Sequence, residues 1–192
     1  LDIKDVKNAF NDITSWPQYA LTPLHSLHEI AKSCFVNKIW YKDESTRFNL
    51  GSFKALGGAY AVAKQIICEL KKRHNIHASM ADLLSNKFKD EINNISVSCA
   101  TDGNHGRSVA WGAKIFGCPC VIYLHKHVSK GRESEIAKYG AKIERIAGNY
   151  DDSVRMAAID AKEFNRLIVS DTSYEGYMEI PKDVALGYTV MF

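Results

Sequence analysis

Ile95–Leu124 reads ISVSCATDGNHGRSVAWGAKIFGCPCVIYL. A β-rich run, Ile95 to Cys99, gives way to a polar glycine-bearing turn, then to helix-compatible sequence from His105 to Phe116. A second β-rich run follows from Cys120 to Leu124. Strand, turn, helix and strand at this spacing are the signature of a parallel pair joined by a crossover helix. Further strands are expected at Lys38 to Lys42, Lys142 to Ile146 and Leu167 to Ser170, all short and rich in β-branched or aromatic residues. Helical patterns separate them, at Phe53 to Arg73, Ser129 to Tyr139 and Tyr150 to Phe164. The first carries a broad apolar face through Ala59, Ala63, Ile66, Ile67 and Leu70. Ser129 and Asp151 are candidate helix caps, and Gly117, Gly140 and Gly148 stand where elements should end. The segment 74–94 is polar and irregular, with room for one short helix. The class is α/β: a parallel sheet with crossover helices.

At 192 residues and 46% hydrophobic content the chain can bury a real core. Its 25 basic residues against 22 acidic ones are scattered rather than striped, which points away from nucleic acid. Five cysteines without framework spacing suit reduced thiols, and Cys118 with Cys120 lacks a second ligand pair for a metal. No stretch reaches the roughly 18 apolar residues of a membrane span, nor is there a basic leader followed by an apolar run. The expectation is a soluble, cytoplasmic protein that does not act at a membrane.

Ligand sites in such folds lie at loops leaving the carboxyl ends of strands. Two stretches answer to that place. One holds Ser52-Phe53-Lys54 at the start of the longest apolar helix, where a helix amino terminus and partial burial disfavour an ammonium and favour a nucleophilic amine. An ordinary surface lysine is the bland alternative. The other is Thr101-Asp102-Gly103-Asn104-His105-Gly106, whose backbone amides can converge on an anion such as a substrate carboxylate. Asn104 can hydrogen-bond a flat polar ring, and Gly103 leaves room for it. A plain turn with a helix cap is the alternative here. The spacing is not the G-x-G-x-x-G of a dinucleotide cradle.

Taken in order, the K-D-E-S-T loop (Lys42 to Thr46), S-F-K-A-L-G-G-A-Y-A (from Ser52) and A-T-D-G-N-H-G-R (from Ala100) resemble the fold-type II pyridoxal-phosphate enzymes. That family includes threonine dehydratase and cysteine synthase. N-Y-D-D-S-V-R (Asn149 to Arg155) and D-T-S-Y-E-G-Y (Asp171 to Tyr177) are most similar to its diaminopropionate ammonia-lyase branch. The resemblance runs through essentially the whole chain. It implies a tryptophan synthase β-like fold, pyridoxal 5'-phosphate as cofactor, an amino-acid substrate and a homodimeric full-length enzyme. Carried onto this chain, it implies Lys54 as the cofactor-bearing lysine, with Phe53, Gly103 and Asn104 beside the cofactor. Ser52, Thr101, Asp102 and His105 would face the substrate, although packing or capping is the plainer role for His105. Asp102 stands where the dehydratases carry serine, which argues against a serine or threonine dehydratase. By the resemblance Asp102 takes the α-proton of the D substrate and Asp171 that of the L substrate. A carbanion can be reached from either face, but each face needs its own base within reach. The bland readings are a helix cap for Asp102 and a turn residue for Asp171. The implied reaction converts 2,3-diaminopropionate to pyruvate and ammonia by α,β-elimination, with Lys54 offering a proton to the leaving amine.

The same resemblance calls for a glycine-rich phosphate loop and a partner for the pyridine nitrogen further along, and neither is seen before Phe192. The chain is therefore expected to be an amino-terminal portion. Residues 1–52 would open a large domain, 53–173 form the small cofactor-proximal domain, and 174–192 begin the return into an incomplete second domain. A noncatalytic folded module is the rival expectation for the chain on its own.

Overall fold

The computed structural model describes residues 2–191. Helix α1 (Ile3–Thr14) leads into strand β1 (Leu24–Ser26), helix α2 (His28–Ser33) and strand β2 (Trp40–Lys42). The long α3 (Lys54–His74), short α4 (Met80–Leu84) and α5 (Lys89–Ile92), and strand β3 (Val97–Ala100) come next. Then α6 (Asn104–Phe116), β4 (Cys120–His125), α7 (Lys130–Ala137), β5 (Lys142–Ile146), α8 (Tyr150–Glu163), β6 (Leu167–Ile168) and α9 (Glu179–Tyr188) complete the order.

Four strands form one parallel sheet in the order β5-β4-β3-β6. From β3 the chain winds outward through α6 and α7 to β5. It then crosses back through α8, passing β4 and β3, to place β6 on the far side of β3. Reversing the direction of winding under a constant crossover hand puts α8 on the opposite face from α6 and α7. Both faces are thus covered, and β4 shows it residue by residue. Ile122 and Leu124 enter the main core, while Val121 and Tyr123 pack with Ala157 of α8 in a smaller one.

Helix α3 packs between α6 and α9. Its partners come close because both seams are glycine-lined. A Cβ at Gly112 would lie 2.7 Å from the Cα of Ala59, and one at Gly187 would lie 2.6 Å from the carbonyl oxygen of Leu56. Gly112→Ala should therefore destabilise the fold by about 1–3 kcal/mol despite its better helix propensity. A lower urea midpoint at unchanged slope would register this; an unchanged midpoint would mean that the α3–α6 seam yields freely.

Four details depart from expectation. The run Lys38 to Lys42 supplies a strand only at Trp40–Lys42, which pairs antiparallel with β1 in a separate two-stranded sheet. Its residues are aromatic and β-branched as a strand's should be, but β1, of only three residues, gave no signal to name the partner. The strand anticipated at Leu167 to Ser170 is regular only over Leu167–Ile168. Segment 74–94 folds into two short helices rather than one, the first closed by a capping box between Ser79 and Asp82. The cap of α8 is Asn149, whose side chain accepts from the Asp152 amide while Asp152 answers the Asn149 amide; Asp151 sits in the first turn. Ser129 caps α7 as anticipated, and Gly117 closes α6 in a left-handed conformation. Cys99, Cys118 and Cys120 are buried free thiols, their ionisation disfavoured first of all by burial. Among the described residues no helix is long and apolar enough to cross a membrane.

Candidate active site

Strands β3 and β6 are neighbours, but the crossovers leaving and entering them run in opposite directions. Their carboxyl ends therefore open a crevice at the topological switch point, where ligands of open α/β sheets bind. Asp102 follows β3 and Asp171 follows β6. A cavity of about 220 Å³ lies there, lined by Lys54, Asp102, Asn104, His105, Tyr150 and Asp171, with Ala100, Thr101 and Gly103 completing its wall.

Lys54 is the first residue of α3. Its backbone amide donates to Ser52 Oγ at 3.2 Å, so Ser52 caps the turn that aims the lysine. Its Nζ lies beside the rings of Phe53 and Tyr188, 5.9 and 6.0 Å from their centroids. Phe53 itself stacks edge-on against Tyr188. Neither Ser52 nor Phe53 lines the cavity. At its end Nζ donates to Asp171 Oδ2. The amine thus faces a carboxylate, where only a helix amino terminus and partial burial had been expected.

Asp171 is half-buried. Burial alone would raise its carboxyl, but the His105 ring and the Lys54 ammonium beside it outweigh that and hold it below the usual carboxylate range. His105 is buried, and its Nε2–H donates to the Val169 carbonyl at 3.0 Å. Burial depresses its imidazole, outweighing the Asp171 charge and that hydrogen bond. Nδ1 of His105 lies 3.6 Å from Asp171 Oδ2 and is buried without a hydrogen-bond partner.

The T-D-G-N-H-G loop spends some of its amides internally. Thr101 Oγ1 accepts from Gly103 N at 3.1 Å and from Gly106 N at 3.0 Å, so the Thr101 hydroxyl serves the loop. Gly106 makes this possible: a Cβ there would lie 2.2 Å from Thr101 Cγ2. The first-turn amides of Asn104 and His105 cannot bond within the helix and take no partner among the described residues. They are the donors left for an anion. Asn104 is exposed at the rim, and Asp102 is exposed as well, its Oδ1 held by His125 Nε2 at 2.8 Å.

Sequence reasoning therefore assembled Lys54, Thr101, Asp102, Gly103, Asn104, His105 and Asp171, all of which the fold brings to one cavity. Tyr150 and His125 were missed. Tyr150, the first residue of α8, has its phenol raised chiefly by burial, with the Asp171 and Asp102 carboxylates adding to it. The N-Y-D-D-S-V-R stretch had pointed to it without giving it a role.

The residues 16–188 match the family described as Pyridoxal-phosphate dependent enzyme. The chain is 40% identical over 175 residues to the diaminopropionate ammonia-lyase of Salmonella typhimurium, covering 91% of this chain and 43% of that protein. The structure of the Escherichia coli diaminopropionate ammonia-lyase in apo form superposes with a TM-score of 0.86 at 37% identity, over 98% of this chain and 50% of that one. The same enzyme in complex with an aminoacrylate-PLP azomethine reaction intermediate superposes with a TM-score of 0.84 at 37% identity, over 99% of this chain and 46% of that one. The chain thus spans less than half the length of the curated relatives it matches. With its parallel sheet, its helix-borne lysine and the matched span in agreement, the chain belongs to the pyridoxal-phosphate dependent enzyme family.

Proposed function

We propose that the protein of which these residues form the described part is an ammonia-lyase that breaks down 2,3-diaminopropionate, with pyridoxal phosphate attached at Lys54. One observation carries this reading: a single lysine amine and two carboxylates from adjacent loops line one cavity at the switch point of the sheet. The residues suit the cofactor. Lys54 is the lysine among the lining residues, and the free first-turn amides and Asn104 supply neutral donors, while the buried Nδ1 of His105 stands without a partner. Lys54, Gly103 and Asn104 would hold the group at its reactive end. When bound, pyridoxal phosphate withdraws electrons from the α-carbon of a joined amino acid and acidifies its α-proton.

The protein residues then divide the proton work. Asp102, on the β3 loop, takes the α-proton from the D substrate, and Asp171, on the β6 loop, takes it from the L substrate. The ion pair with Lys54 restrains Asp171 as a base. Drawing the amine away leaves a half-buried carboxylate whose proton affinity rises, so the base is released when the lysine is engaged. Lys54 Nζ gives a proton to the departing β-amine. With one water consumed, the products are pyruvate and two ammonia. The anchoring amides of Asn104 and His105 orient the substrate carboxylate.

The test is release of pyruvate and ammonia from each enantiomer of 2,3-diaminopropionate by the cofactor-loaded protein, with serine and threonine as competitors. Turnover of both hands of diaminopropionate above either hydroxy amino acid is the expected result. Preference for threonine would replace this reading with a dehydratase.

A further inference from the structure

We infer that His125 is a positioning residue that holds Asp102 ready as the base for the D substrate; the inference rests on the proposed role of Asp102. His125 is the last residue of β4 and reaches across to the loop that follows β3, the adjacent strand. Its Nε2 lies 2.8 Å from Asp102 Oδ1, while its Nδ1 accepts the backbone amide of His127 at 3.2 Å. That second bond decides the tautomer. An Nδ1 that accepts must carry its lone pair, so the proton of the neutral ring sits on Nε2 and is donated to the carboxylate. The ring is mostly enclosed, with 15% of its side chain exposed, whereas Asp102 is 63% exposed. A rigid, strand-borne donor therefore fixes a side chain that would otherwise turn freely in water.

The choice of oxygen has a consequence. His125 takes Oδ1, Arg132 reaches only the Asp102 backbone carbonyl, and no donor among the described residues engages Oδ2. One oxygen is clamped and the other is left without a donor, on a residue that lines the cavity. In the reaction the Cα–H bond breaks, its electron pair remains on carbon, and the proton passes to Asp102 Oδ2. The His125 proton stays on Nε2 throughout. A neutral donor stabilises the ionised carboxylate without presenting a full counter-charge that would blunt its basicity. Asp171 is held differently, by an ammonium that must leave before it can act. The two bases thus have different supports, and removing His125 should touch one hand of substrate only.

Two arms test this. In the first, ¹⁵N NMR of the chain should show the His125 ring neutral and protonated at Nε2. The signal should be assigned by its loss in His125→Gln and should exchange faster with solvent in Asp102→Asn. In the second, the cofactor-loaded protein carrying His125→Leu should lose roughly tenfold or more in kcat on D-2,3-diaminopropionate, the scale of loss when a reacting group is misaligned. KM should stay within about twofold, and L-substrate turnover should be kept. His125→Gln, whose amide can still donate from the Nε2 position, should recover most of the loss. Equal losses on both hands, a Gln variant as impaired as Leu, or a ring protonated at Nδ1 would each overturn the inference. Full D-substrate turnover in Asp102→Asn with the NMR contact intact would instead remove the base assignment beneath it, and the positioning role with it.

Discussion

Lys54→Ala is expected to abolish covalent retention of pyridoxal phosphate and to lower pyruvate release by about three orders of magnitude or more, as when an activated nucleophile is removed. The lysine is the amine in the cavity, delivered by the first turn of α3 and held beside Phe53 and Tyr188 against Asp171. Removing it also strips Asp171 of its counter-ion, so the alanine variant alone would mix chemistry with stability. Lys54→Arg separates them. A guanidinium can keep the charge opposite Asp171 but cannot form the linkage to the cofactor. Borohydride reduction followed by mass spectrometry should add the cofactor mass to the wild-type protein and to neither variant. Covalent trapping that persists in Lys54→Ala would end the assignment of this lysine.

The second large effect is a division by handedness. Asp102→Asn should cost about 10²- to 10⁴-fold in kcat on D-2,3-diaminopropionate, the range typical of a lost general base, while L-substrate turnover changes only a few-fold. Asp171→Asn should fall more heavily on the L substrate. It should not be as clean, because Asp171 also pairs with Lys54 and stands beside the buried His105 ring. Some loss on both hands is therefore expected there, whereas the Asp102 carboxylate hydrogen-bonds His125 rather than Lys54 and can be neutralised with little disturbance to the lysine. Steady-state kinetics on the two pure enantiomers reads this directly. Equal losses on both hands in Asp102→Asn would contradict the division.

Much of this was legible before any coordinates. The alternation of short β-branched runs with helix-period stretches fixes a parallel α/β sheet, because period and length are local properties that neighbouring residues impose on one another. The helices at 54–74, 104–116, 130–137 and 150–163 fall within a few residues of their expected bounds. The motifs S-F-K and T-D-G-N-H-G were legible for a similar reason: each is a contiguous stretch with its own turn and cap chemistry. Asp171 followed from resemblance alone, since nothing local distinguishes it from a turn residue.

Pairing was not legible. Trp40–Lys42 reads as a strand, but only the folded chain shows that its partner is Leu24–Ser26 and that it stands outside the parallel sheet. The same holds for Tyr150 and His125, which reach the site from the start of α8 and the end of β4, 48 and 23 residues beyond Asp102. The sequence by itself determined the fold class and the chemical groups available, a lysine and an aspartate in recognisable motifs and a second aspartate marked by resemblance. Only the tertiary structure decided what each group faces. The order β5-β4-β3-β6 brings the β3 and β6 loops together, binds Lys54 to Asp171, and sets His125 against Asp102. Hydrogen bonds and charge act over a few ångströms, so the state of each group depends on through-space neighbours that no local pattern along the chain records.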